Sequence, residues 1–170
     1  MAIKHLFESA TPASTAGSEG KAVLVTRFTT TKKGKIVSLR FFKRATNTTT
    51  SARLFLFQEG TTTPIVEVTV TYTSGASGWV EKEITPVEIS TGVNYYVDCE
   101  YNSGFYAYTA SQAEVKNSPL AALSGGKFRY STEGVPYPYP EGTSTNGYFI
   151  DIGFEEEQAA PTRRRFAMMG

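Results

Sequence analysis

Cysteine and histidine are nearly missing from this 170-residue chain, which has one of each, Cys99 and His5. A single thiol excludes an internal disulfide framework and a multi-cysteine metal site. Cys99 lies in NYYVDCEY on the alternating face of Tyr95, Val97 and Tyr101, and reads as a small core residue rather than a reactive thiol. His5 stands in the N-terminal run, outside the predicted core, so a Ser-His-Asp or Cys-His site would need it folded back onto the domain. Metalloprotease, EF-hand, P-loop and dinucleotide fingerprints are absent as well. The chain is therefore expected to be no enzyme and to carry no cofactor.

Charge of one sign is also lacking. Seventeen basic residues against sixteen acidic ones leave a net charge of +1, with no broad pull toward nucleic acid or an anionic membrane. No stretch approaches the ~20 apolar residues of a spanning helix, and MAIKHLFESATP holds no apolar run fit for a signal peptide. The expected product is made in the cytosol with no Sec-type export signal.

Aromatic residues are plentiful: 11 Phe, 10 Tyr and 1 Trp, alongside abundant Thr. These types suit a pleated, half-buried surface. From residue 22 they fall into short runs separated by turn residues. AVLVTRFT (22–29) and KIVSLRFFK (35–43) come first, and in the second Val37, Leu39 and Phe41 point opposite to Ser38, Arg40 and Phe42. RATNTTTS (44–51) reads as a loop before ARLFLFQ (52–58), and EGTTTP turns the chain into IVEVTVTY (65–72). WVEKEI (79–84), a separate short PVEIS, and YYVDCEY (95–101) follow. FYAYTA (105–110) is expected to return on YYVDCEY as a hairpin, and GYFIDIGF (147–154) is the last strand, with Asp151 opposite its apolar residues. In NSPLAAL (117–123), Ser118 can cap and Pro119 suits a first helical position, which predicts one helical turn. Regular short strands without a βαβ crossover predict an all-β, antiparallel two-sheet sandwich over 22–154. Residues 1–21, rich in Ser, Thr, Ala and Gly, read as an N-terminal arm, and 155–170 as a charged and apolar tail.

Few residues look chemical. Glu81 with Glu83, and Asp98 with Glu100, could pair as carboxylates, but on an outer sheet face they read as solvated charges. A Ca²⁺ site at Asp151 or Glu141 has no ligand spacing behind it, and Trp79 reads as a core anchor before a sugar platform. The sequon at Asn47 carries no meaning in a product made in the cytosol without an export signal. The loop GVPYPYPEGTSTNG (134–147) sets Tyr137 and Tyr139 between prolines, where stiff rings can meet a sugar or protein or can cap the core. In the tail, Glu155, Glu156 and Glu157 precede Arg163, Arg164 and Arg165, then Phe166, Met168 and Met169, a pattern suited to docking on a partner.

Several pieces in order resemble a bacterial β-sandwich family known as domain of unknown function 4082. VTRFTTTKKGKIVSLRFFK resembles its opening, with Phe42 where the family has Tyr, and ARLFLFQEGT its next strand, with Phe55 where it has Trp. ASGWVEKEITPVEISTGVNYYVDCEY, GFYAYT, NSPLAAL, KFRYS and TNGYFIDIGF continue the likeness from Val25 to Phe154. The resemblance implies a jelly-roll-like or immunoglobulin-like sandwich, often attached to surface-exposed bacterial proteins with glycan-related roles, and brings no catalytic residues. A copy without companion domains, ending in RRRFAMMG, is similar to the small structural proteins of tailed bacteriophages. The expected function is thus a non-enzymatic phage virion component: a minor tail, baseplate or capsid-decoration protein. Its partners would be other virion proteins and copies of itself, and its location the virion. The alternative is a carbohydrate-binding adhesion module at a bacterial surface or outside the cell, with host surface glycan as its partner.

Overall fold

Alternation of apolar and polar residues becomes strand throughout the computed structural model, which describes residues 2–15, 22–101, 106–130 and 142–158. The strands are β1 (Ser14–Thr15), β2 (Ala22–Thr30), β3 (Gly34–Lys43), β4 (Ser51–Gln58), β5 (Val66–Thr71), β6 (Gly78–Ile89) and β7 (Tyr95–Tyr101). They continue with β8 (Ala107–Thr109), β9 (Val115–Asn117), β10 (Leu120–Ala122), β11 (Gly126–Tyr130), β12 (Gly142–Ser144), β13 (Gly147–Tyr148) and β14 (Ile150–Glu156). The described residues contain no helix.

The fold is all-β and antiparallel, as a sandwich requires. The larger sheet runs β12-β11-β2-β7-β4-β5, and β10 joins it by pairing with β2 beyond the end of β11. The smaller sheet is β14-β3-β6, and β1, β8 and β13 make a third, short one. One apolar core unites them: Leu24, Phe28, Leu54, Leu56, Val97 and Cys99 of the larger sheet join Ile36, Leu39, Phe41, Ile150, Ile152 and Phe154 of the smaller. Cys99 is a free, buried thiol within that core.

Four local expectations are corrected. NSPLAAL forms no helical turn: β9 and β10 pair with each other, and Leu120–Ala122 pair with Phe28–Thr30, so β2 takes the hydrogen bonds a helix would need. FYAYTA does not return on YYVDCEY, because β2 and β4 occupy both edges of β7 and β8 pairs with β1 and β13 instead. WVEKEI and PVEIS are one 12-residue strand, β6. It tolerates Pro86 because it lies at the sheet edge, where a missing N–H breaks no ladder. In β3 a register shift between Ile36 and Ser38 breaks strict alternation, so Ile36 joins Leu39 and Phe41 inward and Val37 is only half-buried.

The larger sheet also buries residues on its other face. Val23, Val25, Phe55, Phe57 and Tyr96 form a second apolar cluster there. Asp98, read as a solvated charge, is buried between Val25 and Phe55 of the neighbouring strands.

Candidate interaction sites

Three places on the sandwich gather polar chemistry. The first joins the two ends of the chain. Lys4 exchanges backbone hydrogen bonds of 2.9 Å with Phe154, adding one bridge to the outer edge of β14. His5 lies beside it, its Nδ1 2.8 Å from the Ile152 carbonyl and so the protonated nitrogen of the ring. Leu6 and Phe7 then enter the core, 1% and 5% exposed, so the initial run read as an arm includes core residues.

Asp151 anchors this segment. Its carboxylate accepts from the backbone N–H of Leu6 at 2.8 Å, of Phe7 at 3.3 Å and of Ile152 at 2.7 Å, and from Arg40 Nη2 at 2.6 Å and Nε at 3.0 Å. Burial pushes the carboxyl above its ordinary range, and Arg40 and the amides pull it back. The same Arg40 donates to the Glu8 carbonyl at 2.7 Å and stacks 4.1 Å over Trp79. Phe7 lies against Trp79 and Phe149, with ring centroids 6.5 and 4.9 Å away, and Phe42 meets Trp79 edge-on at 5.5 Å. Trp79 is therefore packed under the N-terminal segment, and Asp151 has its acceptor capacity engaged within the chain.

The second place is the root of the tail. Glu155 pairs with Lys35 and Glu156 with Gly34 across β14 and β3, while the Glu157 N–H donates to the Lys33 carbonyl at 2.9 Å. Lys32 Nζ stands 3.6 Å from Glu156 and Lys35 Nζ 3.7 Å from Glu88, both pairs well exposed. Around them opens a cleft of about 490 Å³, its walls carrying Lys33, Lys35, Glu88, Glu155, Glu156 and Glu157. The structure thus brings the three glutamates together with a row of lysines of the same chain. Arg163, Arg164, Arg165, Phe166, Met168, Met169, Tyr137 and Tyr139 lie outside the described residues.

The third place is one end of the sandwich, where β3 finishes. Asn47 is buried and its Oδ1 accepts from the Thr49 N–H at 3.0 Å and from Thr49 Oγ1 at 2.6 Å. Thr49 Oγ1 shares a 2.6 Å hydrogen bond with the Tyr72 hydroxyl, which reaches the Ser51 carbonyl at 3.0 Å. The sequon asparagine is thus a buried loop brace. Lys43 and Tyr72 line an open cleft of about 160 Å³ together with Trp79, Val80 and the 73–78 turn.

A model of the family described as domain of unknown function (DUF4082) matches residues 9–150 of the chain. The chain belongs to the DUF4082 family. No curated protein matches it. The clasp described above links residues on either side of that DUF4082 match: Lys4 to Phe154, His5 to Ile152, and Leu6 and Phe7 to Asp151. No described helix is long and apolar enough to cross a membrane.

Sequence reasoning missed Arg40, Lys43, Asp98 and Asp151 as buried charges. A weak signal existed in each case, since they sit in runs of apolar and aromatic residues, LRFFK, YYVDCEY and FIDIGF.

Proposed function

We propose that this DUF4082 protein is a non-enzymatic building block of a bacteriophage virion: a minor tail, baseplate or capsid-decoration component. The sandwich serves as a rigid brick, and the terminal segments dock on other virion proteins and on further copies of the chain. The observation that carries this reading is the charged cleft at the tail root. Its ion pairs are long and exposed. Such pairs contribute ~0–1 kcal/mol each, so a neighbour's charged segment can exchange with them at little cost. Glu155, Glu156 and Glu157 then face basic residues of the neighbour, and Arg163, Arg164 and Arg165 face acidic ones.

The test is removal of residues 159–170 followed by gel analysis of purified particles. The expected outcome is a folded protein that no longer enters the particle. Normal incorporation of the shortened chain would sink the proposal.

A second reading is a glycan-binding module on the same scaffold. It is favoured by the braced Tyr72 and the small cleft beside it, a rigid aromatic next to a buried cation. Both readings can hold for one protein, because a particle protrusion can also touch host glycans.

A further inference from the structure

Lys43 is 1% exposed, yet it forms no ion pair among the described residues. Its Nζ donates to two carbonyls, Ala76 at 2.7 Å and Arg44 at 3.3 Å, and stands 5.5 Å from the centre of the Tyr72 ring. Burial draws the ammonium below the usual lysine range. Carbonyl dipoles and an aromatic face offset part of the desolvation of a cation, but neither carries a countercharge. The other buried cation of the smaller sheet, Arg40, is matched by Asp151 at 2.6 Å. Lys43 has no such match.

The cleft is built rather than incidental. Ser77 Oγ donates to the Lys43 carbonyl at 3.2 Å, and Ala76 receives the ammonium, so the 73–78 turn is tied to the end of β3 at two points. Thr49 and Ser51 hold the Tyr72 hydroxyl and fix the ring. The mouth is formed by exposed Thr73, Ala76 and Ser77. At about 160 Å³ it has room for about five waters, the space of one sugar ring rather than of a chain of sugars.

We propose that the cleft lined by Lys43 and Tyr72 binds one terminal acidic sugar, with the sugar carboxylate facing the Lys43 ammonium and a C–H face of the ring on Tyr72. The carboxylate supplies the countercharge, and a charge-assisted hydrogen bond is stronger than a neutral one. Tyr72 supplies a flat apolar face that loses little conformational entropy on binding. This inference rests on the glycan-binding reading and names its sugar class and its subsite.

The experiment is an NMR titration of the ¹⁵N-labelled full chain with glucuronate, with glucose as the neutral ring and acetate as the bare carboxylate. Glucuronate is expected to shift the backbone amides of residues 73–78, with acetate and glucose about tenfold weaker or more. Lys43→Gln is expected to abolish the shifts. Because that change is in the interior, Ala76→Trp serves as a second variant: it fills the mouth from an exposed turn, keeps the fold, and is expected to block binding. Glucose acting as well as glucuronate would overturn the inference, as would shifts that persist in the folded Ala76→Trp protein. No shifts at all would also overturn it. A glycan array with the full chain separates the two levels: hits on neutral glycans without glucuronate shifts sink the acidic-sugar subsite and leave the glycan-binding reading standing.

Discussion

At the scale of residues, two kinds of position behaved differently. Cys99 and its face-mates Tyr95 and Val97 in β7 were legible, because their burial follows from strand alternation alone. Arg40 and Asp151 were not. Each was placed on an outward face by its neighbours, and that placement is right. What alternation does not reveal is that the N-terminal segment, 32 residues from Arg40 and 144 from Asp151 in sequence, lies over that face. Leu6 and Phe7 left a faint signal, being large apolar residues in a run otherwise read as an arm.

Asp151 also gives the sharpest single-residue prediction. Asp151→Asn keeps the shape but removes the charge opposite Arg40 and turns an NH₂ donor toward backbone donors. Breaking a buried pair by neutralising one partner costs about 3–5 kcal/mol. Urea denaturation should show that loss, with the N-terminal segment exchanging its amide protons faster than β2 does. A change below about 1 kcal/mol would mean that solvent reaches the pair. The half-buried network around Glu59 offers a contrast. Arg27, Tyr96 and Asn94 hydrogen-bond this carboxylate at 2.8, 2.6 and 2.7 Å, Arg27 being the main reason its pKa falls to about 2. Its contribution is present above its ordinary value of 4.5 and fades as pH falls toward 2.

At the scale of elements, most strands were found within a few residues, since each carries its own alternation and turn punctuation. The misread ones are those whose pairing is decided elsewhere. β8 follows β7 in sequence but finds both edges of β7 taken, and β10 is captured by β2 although its sequence opens like a helix. The ends of the domain are decided in the same way. Residues 4–7 and β14 bury Leu6, Phe7, Ile152 and Phe154, and each such side chain contributes roughly 1.5–3 kcal/mol. Their sum rivals the 5–15 kcal/mol typical of a whole domain. The fragment 9–150, which spans the family match, is therefore expected to be unfolded or aggregated. The fragment 2–158 should melt cooperatively like the full chain. Circular dichroism with thermal scans distinguishes the two, and a cooperative melt of 9–150 near the full-chain temperature would show that the clasp is dispensable.

For the whole molecule, charge rather than shape separates folding from assembly. The core is largely apolar, and the ion pair buried beside it, Arg40 with Asp151, is shielded from solvent. The pairs at the tail root, Lys32 with Glu156 and Lys35 with Glu88, stand in water. Salt shortens the reach of exposed charges to about 3 Å at 1 M and leaves buried pairs nearly untouched. With a net charge of +1 the molecule has no long-range field to steer partners, so recognition through the root cleft has to come from local complementarity. If that cleft is the docking surface of the brick, 1 M salt should dissociate the protein from its neighbours while its melting temperature moves by only a degree or two. Sedimentation of particles washed in low and high salt reads the first, and calorimetry of the isolated chain the second. Retention on the particle in high salt would shift the contact from the glutamates of the root to an apolar surface, and so away from the cleft where β14, β3 and β6 end.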